Sequence, residues 1–158
     1  MGEQDVIAVL DELTDADVTA WVDGGWGVEA LLGTVSRPHS DLDLVVLRTE
    51  LDTIRAALAA AGFTRVLRDV LPTALALADQ AGREVDLHPV DATEDGGGDQ
   101  VLPDGGTFHY PAPVPGRIGG HTVLCVDTDT QLRAHQGYPL TDKDRGDIAR
   151  LTAHTAVR

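Results

Sequence analysis

Trp21-Val-Asp-Gly-Gly-Trp-Gly-Val-Glu29 and, shortly after it, Arg37-Pro-His-Ser-Asp-Leu-Asp-Leu-Val45 decide how this chain is read. Gly24-Gly25 follows a short apolar run, Thr19 to Val22, and precedes a helix-compatible run from Trp26 to Leu32. The glycines therefore sit where a strand turns into a helix, a turn that can present bare backbone N–H groups to a phosphate. Asp41 and Asp43 alternate with Leu42 and Leu44 ahead of Val45-Val46-Leu47. The two-residue period of a strand puts both carboxylates on one face and both leucines on the other. Neighbouring carboxylates repel unless a cation separates them. A magnesium-like ion, which takes oxygen ligands and bridges to phosphate, is the usual reason for such a pair. The implied site takes a nucleotide, and the plain alternative is a tight glycine turn beside a solvated strand edge.

Working outward, Gly33 is placed to end the helix and Thr34 to Ser40 form a loop leading to the aspartates. From that loop Arg37 and His39 reach the phosphates or support Asp41, unless they are a surface arginine and a histidine packed behind the site. Asp5 to Leu13 carries apolar residues at helical spacing, an amphipathic helix for packing. Thr49-Glu-Leu-Asp52 has the form of a helix cap before a crossover helix that stops at Ala61-Gly62. Strands follow over 63–70 and 73–78, separated by Leu71-Pro72, and a third runs from Arg83 to Val90. Its alternation sets Glu84, Asp86 and His88 on one face and Val85 and Leu87 on the other.

Composition bounds the rest. A chain of 158 residues suits one domain, 1–158, with a real core. The apolar runs are far too short for a membrane span, and the N-terminus lacks an export signal, so a cytoplasmic protein is expected. The formal net charge of −14, from 26 acids and 12 bases, argues against nucleic acid as a partner. A cationic small molecule would be attracted, although plain solubility also accounts for the charge. The lone Cys125 lies in an apolar run and reads as a buried strand thiol.

Residues 91–106 are acidic and glycine-rich, with a short strand at Gln100-Val-Leu102 and hairpins expected over the site. Thr107-Phe-His-Tyr110 reads as an edge strand leaving into a rigid loop, Pro111 to Pro115, and 116–126 as a further hairpin. These loops supply aromatic and hydrogen-bonding groups of the kind that line an acceptor pocket. Glu84, His88 and Tyr110 are the candidates for substrate contact. His88 orients a carboxylate or meets substrate, unless it is an ordinary core or surface histidine. Thr128-Asp-Thr-Gln131 is read as a capping box opening a helix through Gln136, stopped by Gly137-Tyr-Pro139, and Thr141-Asp-Lys-Asp144 caps the last helix.

The order Gly-Gly, helix, Arg-x-His-x-Asp-x-Asp, with Asp23-Gly24-Gly25-Trp26-Gly27-Val28, Leu32-Gly33, and later Gln131, His135, Gly137-Tyr138 and Lys143-Asp144, resembles the small antibiotic nucleotidyltransferases. These are the lincosamide nucleotidyltransferases and aminoglycoside 2''-adenylyltransferases of the polymerase-beta-like superfamily. The resemblance covers most of the chain and is weakest over 91–115. It implies an α/β (α+β) fold with a mixed, twisted sheet flanked by helices. It implies Mg2+ held by Asp41, Asp43 and a third carboxylate on a neighbouring strand, where Asp86 matches, and an NTP, ATP first, bound by Gly24, Gly25, Arg37, His39 and Lys143. A lysine in the terminal helix reaches the triphosphate in that family, against the plain alternative of a surface lysine near a cap. Asp86 would accept the proton of an attacking antibiotic hydroxyl as pyrophosphate leaves. Relatives are often homodimers. Minimal nucleotidyltransferase domains also occur as antitoxins that modify or bind a protein, which is the competing implication.

Overall fold

Leu42, Leu44, Val85 and Leu87 are fully buried, and burying them aligns two strands that are far apart in sequence. The strands β2 (Asp41–Leu47) and β5 (Glu84–Ala92) run parallel, with Asp41 opposite Glu84 and Asp43 opposite Asp86. Parallel neighbours need a long crossover. Here it contains α3 (Leu51–Ala60) and the antiparallel pair β3 (Arg65–Val70) and β4 (Ala74–Ala78).

The computed structural model of the chain describes residues 1–136 and 139–156. Before β2 come α1 (Glu3–Asp15), β1 (Ala20–Asp23) and α2 (Gly24–Leu32). After β5 come β6 (Gly98–Val101), β7 (Thr107–Tyr110), β8 (Val114–Ile118), β9 (His121–Cys125), α4 (Thr128–Ala134) and α5 (Asp142–Ala156). The sheet is mixed, in the order β3-β4-β5-β2-β1-β9-β8, and a hairpin of β6 and β7 pairs onto the far end of β5. The α/β architecture with helices flanking a mixed sheet is the one expected.

The two faces of the sheet divide the labour. Leu42, Leu44, Val46, Val85 and Leu87 join Val22 and the buried sides of α1, α2 and α3 in the main core. The alternate residues point the other way, where Trp21, Val45, Val90, Tyr110 and Val126 form a small second cluster. The polar residues that share this second face are Asp23, Asp41, Asp43, Glu84, Asp86 and His88. One period of two thus fixes both the core and the site.

Several local expectations need correction. Thr49 caps no helix: the chain turns in a 3-10 segment at Arg48–Glu50, so α3 begins one residue later, at Leu51, with Glu50 at its N-cap and no side-chain cap. The cap of α4 is Asp127, whose carboxylate accepts from Thr130 N at 3.1 Å, and the helix ends at Ala134 rather than Gln136. Gly137 and Tyr138 lie outside the described residues. Pro115 belongs to β8 rather than to a loop, opposite Leu124, which the edge position of that strand allows. Gly33 does end α2 in a left-handed conformation, and Thr141 does cap α5 with Asp144 reaching back to Thr141 N at 2.7 Å. Cys125 is buried, and burial pushes its thiol up to about 11. Among the described residues no helix is long and apolar enough to cross a membrane.

Candidate active site

The strand registers place three carboxylates side by side across the middle of the sheet. Asp23 on β1 is opposite Asp43 on β2, which is opposite Asp86 on β5. Adjacent strands are about 4.8 Å apart, close enough for like charges to need a counter-charge. Asp43, Asp86 and His88 each offer a ligand atom, and those atoms lie within 4.8 Å of one another. Magnesium prefers oxygen donors, which makes Asp43 and Asp86 the fitting ligands. His88 Nε2 stands 3.3 Å from Asp43 Oδ1, and Nδ1 stands 3.3 Å from the Gln100 amide, an arrangement that orients the Asp43 carboxylate. Among the described residues Asp86 Oδ1 is buried without a hydrogen-bond partner, an oxygen of the kind a cation would satisfy. Asp41 is two residues up on the same face, its Oδ1 accepting from Ser40 Oγ at 3.2 Å, and it stands outside the 4.8 Å group.

Asp23 is the carboxylate that sequence reading left out. It is buried, and burial raises its pKa, offset in part by the charge of His88 and by a hydrogen bond from the Gly24 backbone. The Tyr110 hydroxyl lies 3.4 Å from Asp23 Oδ2 and 3.3 Å from Gln100 Oε1, so Tyr110 closes the site from β7. Its phenol is pushed well above the ordinary range, first by burial and then by the Asp23 charge.

Gly24 is required by conformation and by space, Gly25 by space alone. Gly24 has φ +56, and a Cβ there would stand 2.2 Å from Asp43 Oδ2. A Cβ on Gly25 would stand 2.4 Å from His39 Nδ1. The start of α2 is therefore pressed against Asp43 on one side and His39 on the other. The N–H groups of its first turn, which lack partners within a helix, open beside the carboxylate row.

Arg37 turns to Asp147 on α5, and His39 takes the alternative place named for it, packed behind the site. Glu29, on α2 and 1 % exposed, accepts from Arg150 Nη2 at 2.6 Å, from Ser36 Oγ at 2.9 Å and from His39 Nε2 at 3.1 Å. Arg37 donates to Asp147 on α5 at 2.7 Å and to His39 Nδ1 at 3.1 Å. Burial lowers the pKa of His39, and the two partners assign the neutral ring with its proton on Nε2. The network ties the terminal helix and the aspartate loop to α2, directly under the glycine turn. Its remaining members, Glu29, Asp147 and Arg150, gave no signal in the sequence.

Two clefts flank the carboxylates. One, of about 460 Å³, is lined by Asp41, Leu67, Arg68, Ala76, Glu84 and Asp86. The other, of about 420 Å³, includes Gly24, Asp43, His88, Phe108, Tyr110 and His135. Glu84, His88 and Tyr110 thus all border the site, Glu84 on one side and the other two on the opposite side. His135 Nδ1 is 3.5 Å from Asp144 Oδ1, joining the second cleft to the start of α5. Lys143, beside Asp144, is exposed there. A third hollow of about 410 Å³, between α1 and β9, is lined by none of these groups.

Residues 5–151 match the family model described as aminoglycoside-2''-adenylyltransferase. The chain belongs to this family. A lincosamide resistance protein of Staphylococcus haemolyticus is 28% identical over 155 residues, 97% of this chain and 96% of the relative. The crystal structure of the lincosamide antibiotic adenylyltransferase LnuA with lincomycin bound superposes with a TM-score of 0.86 at 28% identity, covering 97% of this chain and 98% of that one. The antibiotic-resistance factor ANT(2'')-Ia, 17% identical, shares the fold with a TM-score of 0.76 over 97% of this chain and 83% of its own. By family the chain is a nucleotidyltransferase.

The Glu29 network has a measurable pH signature. Its hydrogen bonds from Arg150, His39 and Ser36 outweigh burial and hold the carboxyl below its ordinary 4.5. A carboxyl depressed by folding contributes stability above its unfolded pKa and loses it as pH falls through the folded value. Glu29→Gln is expected to cost roughly 2–4 kcal/mol at neutral pH, under that of a wholly buried pair because Arg150 is partly exposed. In urea titrations at a series of pH values, the gap from wild type should narrow below 4.5. A gap independent of pH would show that the ionisation of Glu29 contributes nothing to stability.

Proposed function

We propose that this chain is a magnesium-dependent nucleotidyltransferase that moves a nucleoside monophosphate from an NTP, ATP first, to a hydroxyl of a small antibiotic. The observation that carries the reading is the in-register row of Asp23, Asp43 and Asp86 beneath the Gly24-Gly25 turn. Backbone N–H groups at the start of α2 hold the phosphates, and Lys143 at the start of α5 adds a positive charge. Asp43 and Asp86 would hold magnesium, with Asp41, two residues along β2, offering a further carboxylate on the same face, and the ion would neutralise charge on the phosphates and on the departing pyrophosphate. The acceptor oxygen forms its bond to the α-phosphorus as the bond to pyrophosphate breaks, and its proton passes to a carboxylate oxygen of Asp86. Arg37 and His39 act through the turn, by fixing Gly25 and α5. A reaction that consumes NTP belongs in the cytoplasm.

A lincosamide is favoured over an aminoglycoside as acceptor. The acidity of 91–106 would draw a polycation if it were uncompensated. Arg48 pairs with Asp91 at 2.7 Å and His109 lies 2.9 Å from Asp95 and 2.7 Å from Asp99, which offsets part of that charge. Both relatives at 28% identity also carry the lincosamide name. The family match runs far beyond the metal motif, which favours a small-molecule acceptor over the protein acceptor of an antitoxin.

Purified protein incubated with magnesium, ATP or GTP, and a panel of lincosamides and aminoglycosides is expected to release pyrophosphate. Asp43→Asn and Asp86→Asn should each slow release on the order of 10²-fold or more, since positioning and charge neutralisation carry such transfers. Unchanged release in either variant overturns the roles of these two carboxylates, and silence across the panel removes the antibiotic as acceptor. In a susceptible host, raised tolerance to lincomycin or clindamycin alone is expected, and tolerance to kanamycin-type drugs alone reverses the order of acceptors.

A homodimer belongs to the same proposal, because a chain this small gains from a second copy that walls its acceptor cleft. Light scattering should then give twice the chain mass. A monomer at high concentration, with activity independent of dilution, would remove the dimer from it.

A further inference from the structure

The row of residues that crosses the sheet at Asp43 and Asp86 continues for two more strands. Asp86 is opposite Ala76 on β4, and Ala76 is opposite Arg68 on β3. The pairing of β3 with β4 shifts register between Val66 and Arg68, leaving Leu67 as the extra residue. That bulge turns Arg68 onto the face that carries the carboxylates. Two strand spacings, roughly 10 Å, separate the backbones of Arg68 and Asp86. The intervening residue is an alanine, and over its methyl group the Arg68 guanidinium reaches Asp86 and donates Nη2–H to Oδ2. Arg68 is the cation among residues lining this cleft, facing Asp41, Glu84 and Asp86.

We infer that Arg68 is the built-in counter-ion of the metal site, holding Asp86 in place until a divalent cation arrives and giving it up when the ion binds. The inference rests on the proposed nucleotidyl transfer and names a positioning residue within it. Four carboxylates on neighbouring strands, Asp41, Asp43, Glu84 and Asp86, would repel one another in the absence of metal, and the guanidinium relieves that repulsion. Its hold is incomplete, because only Oδ2 of Asp86 is engaged while the buried Oδ1 has no partner among the described residues. While Arg68 holds Oδ2, the lone pairs of Oδ1 stay open to a cation or to an acceptor proton, and withdrawal of Arg68 frees Oδ2 as well. Its side chain is 49% exposed on a sheet edge, where withdrawal costs little packing.

The test follows the metal and the guanidinium, not turnover. Manganous ion is titrated into the full chain with a non-hydrolysable ATP analogue, free ion is read by electron paramagnetic resonance, and thermal unfolding is recorded without metal. In parallel, magnesium is titrated into nitrogen-labelled protein, and the Arg68 side-chain signal is followed, assigned by its loss in Arg68→Gln. The signal is expected to lose its protection from solvent exchange as the site fills. Arg68→Gln should bind the ion about tenfold more tightly, a modest share of what a unit charge supplies across a few ångströms at an effective dielectric of about 20. The same variant should unfold at a lower temperature than wild type without metal, and Arg68→Lys, which keeps the charge, should return most of the wild-type affinity. An Arg68 signal unmoved at saturation, or ion binding in Arg68→Gln no tighter than wild type, overturns the inference. A wild type that binds no divalent ion overturns the proposed function itself.

Discussion

Glu29 is a carboxylate carried into the interior on a helix, and such a group persists only if donors meet both of its oxygens. Three residues supply them: Ser36 and His39 in the loop before β2, and Arg150 on α5. Asp147 collects Arg37 from the same loop. A single buried charge thereby fixes where the loop enters β2, where α5 docks, and how tightly His39 presses on Gly25. The glycine turn and the aspartate strand are held in one frame because they share these donors.

The second organising constraint is the division of the sheet into an apolar and an acidic face. On β2 and β5 the leucines and valines that face the helices are buried to the last few per cent, which leaves little freedom of register. That rigidity is what brings Asp43 beside Asp86 despite their mutual repulsion. Hydrophobic burial on one side stabilises an electrostatically unfavourable arrangement on the other. The same logic explains why Asp23, at the end of β1, is tolerated next to Asp43: Gly24 N–H, the Tyr110 hydroxyl and His88 surround it.

Periodicity made the central part legible. Asp41 to Leu47 and Arg83 to Val90 alternate clearly enough to assign faces, and Gly24-Gly25 and Gly33 mark both ends of α2. The parallel pairing of β2 with β5 was out of reach of periodicity alone, since alternation fixes faces but not neighbours. Arg68 was hidden for a more specific reason: a bulge breaks the alternation of β3, so counting by twos along the strand puts it on the wrong footing. The Glu29 network was hidden by distance, because 121 residues separate Glu29 from Arg150 and 110 separate Arg37 from Asp147. Asp-Thr-Asp-Thr at 127–130 offers several equivalent caps, and only the observed backbone turn selects Asp127.

The bulge in β3 has a consequence for how the protein behaves in company. The strand ends the sheet, all six of its residues are exposed, and Val66, Leu67 and Val70 give it an apolar character. A straight edge of that composition would be a template for stacking one chain onto the next. The irregular step at Leu67, with Arg65, Arg68 and Asp69 interleaved among the apolar residues, spoils the repeat that a growing stack requires. The same irregular step that turns one arginine toward the carboxylates works against edge-to-edge stacking of the chains.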